Sequence, residues 1–488
     1  MDFQDIPPKW LSLAQIVASN KGDVKLWDKL VDLTEHLPTK DDRYPVEVSQ
    51  GSPPVMKSLL FTVYENLLVN FPLCEQYWCN YASWKFKLGD EAHHVAQIYS
   101  NALSYMPKSL IIWRNYLKFT IETQRSHCRI MDVLEDARIA VGHHFYAHVI
   151  YDIYLDFLKK SGHNKEYHLL LRRIIEIPMY HYCKYFLEFT RLLEEADIVT
   201  IKYFVTAEDL YSSFKLTWGD LLKPADGKIS KMKELKSKLK KMFTDALITT
   251  QYHTFRLWSY ERELKKPYYD PGSQLTRQEL NTWNSYLNYL EINTLKDSFR
   301  NGNSGTAKMN RALLETAYER CLIRTADYSF FWLKYSNLKL NMNMEDQAKQ
   351  VLIKGIYLIN DDEFKLRLRL VDLEILSGEI SEAKDLTLEA YEQQPDNLAL
   401  TLKILQIEHL IDRDSVVDLI EAKLLEVEGG EFERQFDYLF REVLGYGSVS
   451  LTKIEALLKR YQDKKKDSYH YQKALKEFYR CYKLTEDH

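Results

Sequence analysis

The chain has 488 residues, a net charge of −4 and a hydrophobic content of 45%. This charge argues against a general polyanion-binding protein, and the apolar content excludes a wholly disordered chain. The length allows about three ordinary domains or one long repeat array. Glycine and proline are scarce, at 16 and 13 residues, which favours helices and therefore the array.

The first 53 residues are predicted to form an N-terminal cap. Trp27 begins a weak first helix, and a proline-rich loop over 36–54 separates it from a partner helix at about 55–70. The partner helix ends at Pro72.

The stretch 77–122 contains one complete helix pair and the start of the next. Trp78 and Tyr81 lie three residues apart, a spacing that places both on one helical face. The Gly-Asp dipeptide at Gly89 is expected to end this helix and cap the second one, which Pro107 closes. Trp113 restarts the pattern 35 residues after Trp78. Such a pair cannot bury its aromatic face alone, so the pattern predicts stacked helical hairpins.

The aromatic motif W/Y-x-x-Y recurs before a second periodic segment, and its regular spacing decides between two interpretations. A ligand cage or base-stacking platform would occur once, whereas rings that fill the space between helices recur in every repeat. We therefore predict a structural role for all copies, in an all-α superhelix of about nine to eleven helix pairs. The five copies are Trp78 with Tyr81, Trp113 with Tyr116, Tyr151 with Tyr154, Trp283 with Tyr286, and Trp332 with Tyr335.

Irregular aromatic spacing at 195–227, with a turn cluster at 223–227, marks a boundary between two arrays. We predict an N-terminal array over 1–195, an irregular insertion with a lysine-rich helix over 196–245, and a C-terminal array over 246–488. After residue 360 leucines replace the aromatics at the periodic positions.

The lysine-rich helix over 228–243 is the strongest local candidate for a binding surface. Its charges could contact RNA phosphates, dock an acidic partner or serve nuclear import. The alternative is a solvated helix face with an apolar side buried behind it. The seven lysines are Lys228, Lys231, Lys233, Lys236, Lys238, Lys240 and Lys241. The apolar side would comprise Ile229, Met232, Leu235, Leu239 and Met242.

No sequence pattern indicates catalysis, a cofactor or a metal. The phosphate-binding, dinucleotide, zinc-protease and nucleophile-elbow motifs are all missing. The adjacent histidines at 93–94 and 143–144 do not face one another in a helix and lack a third ligand in register. The six cysteines have no paired spacing, the N-terminus lacks a signal peptide, and no apolar run could span a bilayer. We expect an intracellular protein with reduced thiols that is not an enzyme.

Helix pairs that open W-x-x-Y and close near a proline resemble HAT (half-a-TPR) repeats of RNA-processing scaffolds. Three stretches, 141–157, 171–189 and 261–291, are similar to the pre-mRNA-processing HAT proteins of the U1 snRNP, members thirty-nine and forty-two in the fungal naming. The pattern departs from that family at Asp270–Ser273 and after about residue 360, and the chain looks closer to the forty-two branch. The matching positions are Gly142, His144, Phe145, Ile175, Glu176, Ile177, Pro178, His181, Pro267, Tyr268, Trp283, Tyr286, Leu287 and Glu291.

The resemblance implies a HAT/TPR-like solenoid that acts in the nucleus as a non-catalytic U1 snRNP subunit supporting 5′ splice-site recognition. It implies bridging of a U1C-type zinc-finger protein to auxiliary subunits. It also implies a homodimer or heterodimer with a second HAT-repeat subunit through the C-terminal array, with RNA contacted indirectly. Three alternatives stay open: a HAT scaffold of 3′-end cleavage or ribosome assembly, a direct RNA-binding solenoid, and a peptide adaptor. The adaptor is disfavoured because no repeated clamp of basic residues is visible.

Overall fold

The structure, a computed structural model, describes most of the chain. The described residues are 8–37, 46–205, 207, 210–211, 217–218, 228–264, 268–271, 273–301, 305–359, 363–395, 397–412, 415–426, 430–446, 451–465 and 469–482. The predicted turn cluster at 223–227 and the family position Pro267 lie outside them. Contacts divide the chain into two compact units, Met1–Thr325 and Ala326–His488.

The first unit is built from helices, with one two-residue antiparallel strand pair among its described residues. Strand β1 (His36–Leu37) pairs with β2 (Val46–Glu47) so that His36 lies opposite Glu47. The helices are α1 (Pro8–Ser19), α2 (Val24–Glu35), α3 (Pro54–Asn70), α4 (Glu75–Lys87), α5 (Ala92–Tyr105), α6 (Leu110–Thr123), α7 (His127–Val141), α8 (His148–Lys160), α9 (Asn164–Ile174), α10 (Tyr182–Glu195), α11 (Ile198–Phe204), α12 (Lys228–Glu261), α13 (Arg277–Asn301) and α14 (Gly305–Arg324).

The second unit is helical throughout its described residues. Its helices are α15 (Ser329–Asn341), α16 (Glu345–Leu358), α17 (Glu363–Ser377), α18 (Ile380–Gln393), α19 (Leu398–Ile411), α20 (Ser415–Glu426), α21 (Gly430–Tyr446), α22 (Leu451–Lys465) and α23 (Tyr469–Tyr482). Within each unit most helices pack on the next one along the chain, and alternate helices such as α4 and α6 or α17 and α19 also touch. This packing of neighbours along the sequence is the arrangement of helical repeats and confirms the predicted all-α fold class.

Gly89 ends α4 as predicted, but the cap of α5 differs from the prediction. Gly89 has a φ of 89°, in the left-handed region that glycine adopts without steric cost. The N-cap of α5 is Glu91, whose side chain makes no capping bond. Asp90, one residue earlier, accepts bonds from the Glu91 amide and from the His94 ring at 2.9 Å each. One more residue is needed to leave the left-handed turn before the helix begins.

The lysine-rich segment is longer than the sequence suggested. It forms the first half of α12, a helix of 34 residues that continues without interruption to Glu261. Neither glycine nor proline occurs between Lys228 and Glu261, so nothing breaks the helix in that range.

The predicted array boundaries at 195 and 245 come from sequence pattern and stay a prediction. The division by contacts falls later, between Thr325 and Ala326. Long-range contacts explain the difference: α12 packs on both α10 and α13, so the segment after the predicted boundary shares the core of the first unit.

A tryptophan in each of several hairpins makes the same hydrogen bond. The indole Nε1 donates to the carbonyl oxygen six residues upstream, in the loop that precedes the helix. The donors and acceptors are Trp27 to Lys21 at 2.9 Å, Trp78 to Pro72 at 2.9 Å, Trp113 to Pro107 at 2.9 Å and Trp332 to Ala326 at 2.8 Å. The ring fills space between helices while its polar atom satisfies a loop carbonyl, so one side chain fixes both the packing and the turn.

Replacing Trp113 with phenylalanine should destabilise the protein by about 1–3 kcal/mol, because the substitution leaves the Pro107 carbonyl without its donor. Urea unfolding followed by circular dichroism measures the change. The matched control is Trp258→Phe, because the Trp258 indole N–H has no bonded acceptor in the described part of the chain and its ring is partly exposed. Equal losses in both variants would show that ring volume, rather than the bond, sets the cost.

Candidate interaction surfaces

The lysine-rich half of α12 has an apolar side that packs into the core of the first unit. Leu235, Leu239 and Phe243 are buried, and Met232 and Met242 are partly buried against the same cluster. The Phe243 ring meets Phe189 of α10 edge-on, with ring centroids 4.8 Å apart. The side chain of Ile229 lies outside the described part. The helix is therefore amphipathic, and packing on α10 fixes its orientation.

Three of the seven lysines make ion pairs or hydrogen bonds within the first unit. Lys236 donates to the backbone oxygen of Glu194 at 2.7 Å, and Lys240 donates to the Glu194 carboxylate at 2.5 Å. Glu194 lies in the last turn of α10, where the helix dipole favours cations. The hydrogen bond and charge of Lys240 lower the pKa of Glu194. Lys238 pairs with Glu234 at 2.7 Å on α12 itself.

The remaining lysines are divided between exposed and undescribed side chains. Lys233 and Lys241 are exposed, whereas the side chains of Lys228 and Lys231 lie outside the described part. Part of the lysine surface thus attaches α12 to α10, a role that the sequence did not reveal. Its contact with RNA or an acidic partner stays a prediction.

The ten repeat aromatics lie in five different hairpins, and most contact each other or the neighbouring helix. Tyr64 and Tyr81 are an example, with stacked rings whose centroids are 5.6 Å apart. Tyr116 is half-buried. The other nine rings are buried: Trp78, Tyr81, Trp113, Tyr151, Tyr154, Trp283, Tyr286, Trp332 and Tyr335.

The last copy of the motif differs from the others in its place in the fold. The sequence predicts one C-terminal array for Trp283 and Tyr335, whereas the division by contacts places Trp283 in the first unit and Tyr335 in the second. Tyr335 is only 2% exposed, and the ammonium group of Lys339, one turn later on α15, lies 5.2 Å from its ring centroid. Tyr335 therefore fills the core of the second unit and helps to neutralise the burial cost of a lysine.

Tyr151 replaces tryptophan in the third copy of the motif. Its hydroxyl donates to the Gly142 carbonyl at 3.1 Å. This bond reaches an upstream turn, as the indole N–H of the tryptophans does in other hairpins. Tyrosine at this position therefore also satisfies a carbonyl oxygen in the preceding turn.

A buried ion pair joins the ends of α12 and α14. Arg320 donates to both oxygens of Glu261, at 2.6 and 2.9 Å, and the two side chains are only 5% and 1% exposed. The Tyr286 hydroxyl of α13 donates to the same carboxylate at 3.0 Å, and the Trp283 ring lies 5.8 Å from the guanidinium. Burial disfavours the charged guanidinium, but the Glu261 carboxylate outweighs it and raises the pKa of Arg320. This cluster holds three helices together.

An exposed aromatic surface covers the second half of α12 and the turn before α10. Tyr252 and Phe255 are 59% and 69% exposed, and Trp258 lies behind them at 37%. The Trp258 ring stacks on Phe145 and Tyr180, with centroids 6.2 and 5.9 Å away. Contiguous exposed apolar surface of this kind marks protein interaction sites. Phe145 itself is buried, so we call the four exposed residues Tyr180, Tyr252, Phe255 and Trp258 the aromatic surface.

A cavity of about 470 Å³ lies between α2, α4, α6 and the segment 268–271. Asp28, Glu75 and Asp270 line it together with Tyr77 and Tyr268. We call this site the tyrosine cavity. No sequence spacing relates residues 28, 75 and 270, so sequence reasoning missed it.

A hydrogen-bonded serine helps to position the segment that closes the tyrosine cavity. The Ser273 hydroxyl donates to Asp270 at 2.9 Å and accepts from Arg324 at 3.3 Å. Arg324 lies in the last turn of α14, so the segment is connected to the core of the first unit.

The histidine pairs occupy different environments. His93 and His94 are exposed, and their rings lie only 3.9 Å apart, which differs from the expectation that adjacent helical residues do not face one another. Each ring lies beside one carboxylate. Burial lowers the pKa of His143 to about 4 and that of His144 well below 6.5. The His144 Nδ1 accepts a hydrogen bond from the Tyr146 amide at 2.9 Å, so this ring stabilises the turn before α8.

Among the described residues, no group of three or more His, Cys, Asp or Glu could hold a metal ion. No helix in this same part is long and apolar enough to cross a membrane.

Substituting Glu261 with glutamine should cost about 3–5 kcal/mol of unfolding free energy, since Arg320 would stay buried without a counter-charge. Urea unfolding measures this loss. Removing both charges, in Glu261→Gln with Arg320→Met, should recover most of it. The control is Asp156→Asn, which breaks the exposed pair with Lys160 and should change stability by less than about 1 kcal/mol. A cost for Glu261→Gln no larger than that of the control would contradict the structural role of the pair.

Two family models match the chain and together cover more than half of it. Residues 12–191 match the PRP39 N-terminal HAT repeat, and residues 255–410 match the PRP39 C-terminal HAT repeat. Both matched ranges contain repeat aromatics described above.

Two curated relatives and one solved structure resemble the chain. Pre-mRNA-processing factor 39 of Schizosaccharomyces pombe is 26% identical over 350 residues, covering 69% of this chain and 53% of the relative. The U1 small nuclear ribonucleoprotein component PRP42 of Saccharomyces cerevisiae is 25% identical over 314 residues, covering 63% and 54%. The chain thus matches about half the length of these relatives. The crystal structure of CstF-77 shares the fold, with a TM-score of 0.54 at 10% identity over 85% of this chain and 81% of that one.

Proposed function

Because the chain belongs to the PRP39 HAT-repeat family, we propose that it is a non-catalytic scaffold subunit of the U1 snRNP. In this role it acts in the nucleus, bridges core and auxiliary proteins of the particle, and supports 5′ splice-site recognition in pre-mRNA splicing. The observation that carries the proposal is the match of both PRP39 HAT-repeat models, one in each predicted array. One of the matching relatives is itself named as a U1 snRNP component.

The aromatic surface supports a scaffold that binds proteins. Ile248, Tyr252 and Phe255 follow one another at four- and three-residue steps on α12, and all three are more than half exposed. A helix face of this kind typically inserts into a groove or receives a partner helix. We propose that a core protein of the particle, of the U1C zinc-finger type, binds here.

The second unit carries apolar surface that supports dimerisation. On α16, Ile353 and Tyr357 lie one turn apart and are 54% and 66% exposed, and Leu376 of α17 is also exposed. We propose that the C-terminal array pairs through such residues with a second HAT-repeat subunit, either another copy of the chain or a relative.

Purification of the tagged chain from nuclear extract tests the scaffold proposal. U1 snRNA and U1 proteins should co-purify, detected by reverse transcription and mass spectrometry, and an untagged copy or a second HAT-repeat protein should reveal the dimer type. Recovery of 3′-end cleavage or ribosome-assembly subunits instead would overturn the proposal.

The same purification with a double variant, Tyr252→Glu with Phe255→Glu, tests whether the aromatic surface binds the zinc-finger protein, independently of whether the chain belongs to the particle. The variant should lose the zinc-finger protein, because charges on the aromatic surface oppose its burial. Val69→Glu, at an equally exposed apolar position of α3, should keep it. If both variants retain the zinc-finger protein, the contact lies on another surface, and the proposal that the chain belongs to the particle is unaffected.

Direct RNA binding by the lysine surface is the alternative function, and the structure narrows the residues that can test it. Lys236 and Lys240 hold Glu194, so reversing their charge would destabilise the contact between α12 and α10. Lys233, Lys238 and Lys241 are exposed and do not take part in these bonds to α10, so they can be changed without breaking it.

Under the scaffold proposal, the purified chain should bind a U1 snRNA fragment no tighter than about 1 μM, the range of nonspecific binding at physiological salt. The measurement is fluorescence anisotropy with the wild type, with Lys233, Lys238 and Lys241 changed to glutamine, and with a control pair of exposed lysines on α8, Lys159 and Lys160, changed to glutamine. Tighter binding that only the triple variant loses would assign RNA recognition to this helix.

A further inference from the structure

We propose that the tyrosine cavity binds an arginine side chain in a basic segment of a partner protein. Three carboxylates, those of Asp28, Glu75 and Asp270, line this cavity, and no lysine, arginine or histidine is among its described lining residues. Its charge therefore matches a cation. The inference does not rest on membership in a splicing particle, because it concerns a side-chain chemistry that the purified chain can bind alone.

The charges around the cavity act together. The Tyr77 hydroxyl donates to the Asp28 carboxylate, which fixes one acid at the wall. Burial, followed by the charges of Asp28, Asp270 and Glu75, raises the pKa of the Cys74 thiol to about 12. One buried thiol thus responds to all three carboxylates. In a partly enclosed site of low dielectric, such a field attracts a cation far more strongly than it would in water.

Glu75 is a buried carboxylate with unused hydrogen-bonding capacity. Its side chain is only 8% exposed, and burial raises its pKa, an effect that the Ser109 hydroxyl and the charge of Arg320 oppose. One carboxylate oxygen accepts the hydroxyl of Ser109, and the other accepts no bond from the described residues. Arg320 itself is engaged with Glu261. A buried carboxylate of this kind is costly to maintain unless a donor reaches it, and an entering guanidinium would supply that donor.

The walls of the cavity favour arginine over lysine. Tyr77, Tyr268 and Tyr269 contribute three rings, and Tyr268 is 42% exposed at the mouth. A planar guanidinium can stack on such rings while its N–H groups donate to carboxylates on either side. An ammonium group offers neither the flat face nor the fork of donors, and its hydration shell is held more tightly.

The segment that closes the cavity is held in place by the first unit. Asp270 and Pro271 of this segment line the site. Arg324 and Ser273 hold this segment in place through Asp270. The Asp270 carboxylate is therefore held in position before a ligand enters the cavity.

Fluorescence anisotropy with the purified full-length chain tests the proposal. The probes are labelled nonapeptides that alternate glycine with arginine, and matched peptides with lysine or with uncharged citrulline in place of arginine. The arginine peptide should bind about tenfold more tightly than the lysine peptide, and the citrulline peptide should not bind measurably. Affinity should fall as salt rises, because the contact is electrostatic.

Substitutions locate the binding site. Asp28→Asn combined with Asp270→Asn should weaken arginine-peptide binding at least about tenfold, and Tyr268→Ala should weaken it about threefold. The controls Asp156→Asn and Tyr211→Ala change an exposed acid and an exposed tyrosine of the same unit and should have no effect. Thermal unfolding midpoints show whether each variant remains folded. If the Asp28/Asp270 double variant unfolds, Tyr268→Ala still tests the site, because its side chain is partly exposed.

Three results would overturn the inference. They are equal affinity for the arginine and citrulline peptides, no binding of the arginine peptide at millimolar concentration, and full binding by a folded Asp28/Asp270 double variant. None of these results depends on whether U1 components co-purify with the chain, so this inference and the proposed function can fail separately.

Discussion

The structure depends on aromatic side chains that bury a ring and bond a polar atom at the same time. In a short helical hairpin the apolar face is too small to be stable alone, so each ring must pack on the next hairpin. Every such ring that carries an N–H or O–H also needs an acceptor once water is removed. Trp78, Trp113 and Trp332 meet this need with a carbonyl six residues upstream. The same atom that would make burial costly thereby fixes the turn that leads into the helix.

Tyrosine hydroxyls and carboxylates extend this principle between hairpins. Tyr64 donates to Glu35 at 2.5 Å and Tyr81 donates to Glu65 at 2.6 Å, each from one helix to an earlier one. Trp84 shares the Glu35 carboxylate at 2.6 Å. Because the acceptors are carboxylates, these bonds are stronger than neutral ones, and they bring acidic groups close to the packed helices. Around Asp28, Glu75 and Asp270 the same tendency produces an acidic cavity.

The sequence predicted those features that depend on neighbouring residues and missed those that depend on distant ones. The helical hairpins, the buried aromatic stripe and the amphipathic character of the lysine helix follow from three- and four-residue spacing, which is visible in any short window. The Glu261–Arg320 pair joins residues 59 positions apart, and the tyrosine cavity joins α2, α4 and α6 with the segment 268–271. No periodicity encodes such contacts, because they arise only when successive repeats have stacked. The indole bond was missed as well, because every residue has a backbone carbonyl six positions upstream and only the folded turn shows that the indole reaches it.

Helix α12 shows how one element can connect a surface to a core. Its first half is attached to α10 through Leu239, Phe243 and the lysines that bond Glu194, so only part of its charge can act elsewhere. Its second half presents Tyr252 and Phe255 to solvent and ends in Glu261, the buried acid that pairs with Arg320. A partner bound to the exposed rings would therefore contact a helix that is anchored at both ends. Such a helix has little conformational entropy left to lose on binding, which is the physical condition under which an exposed apolar face becomes an effective docking surface.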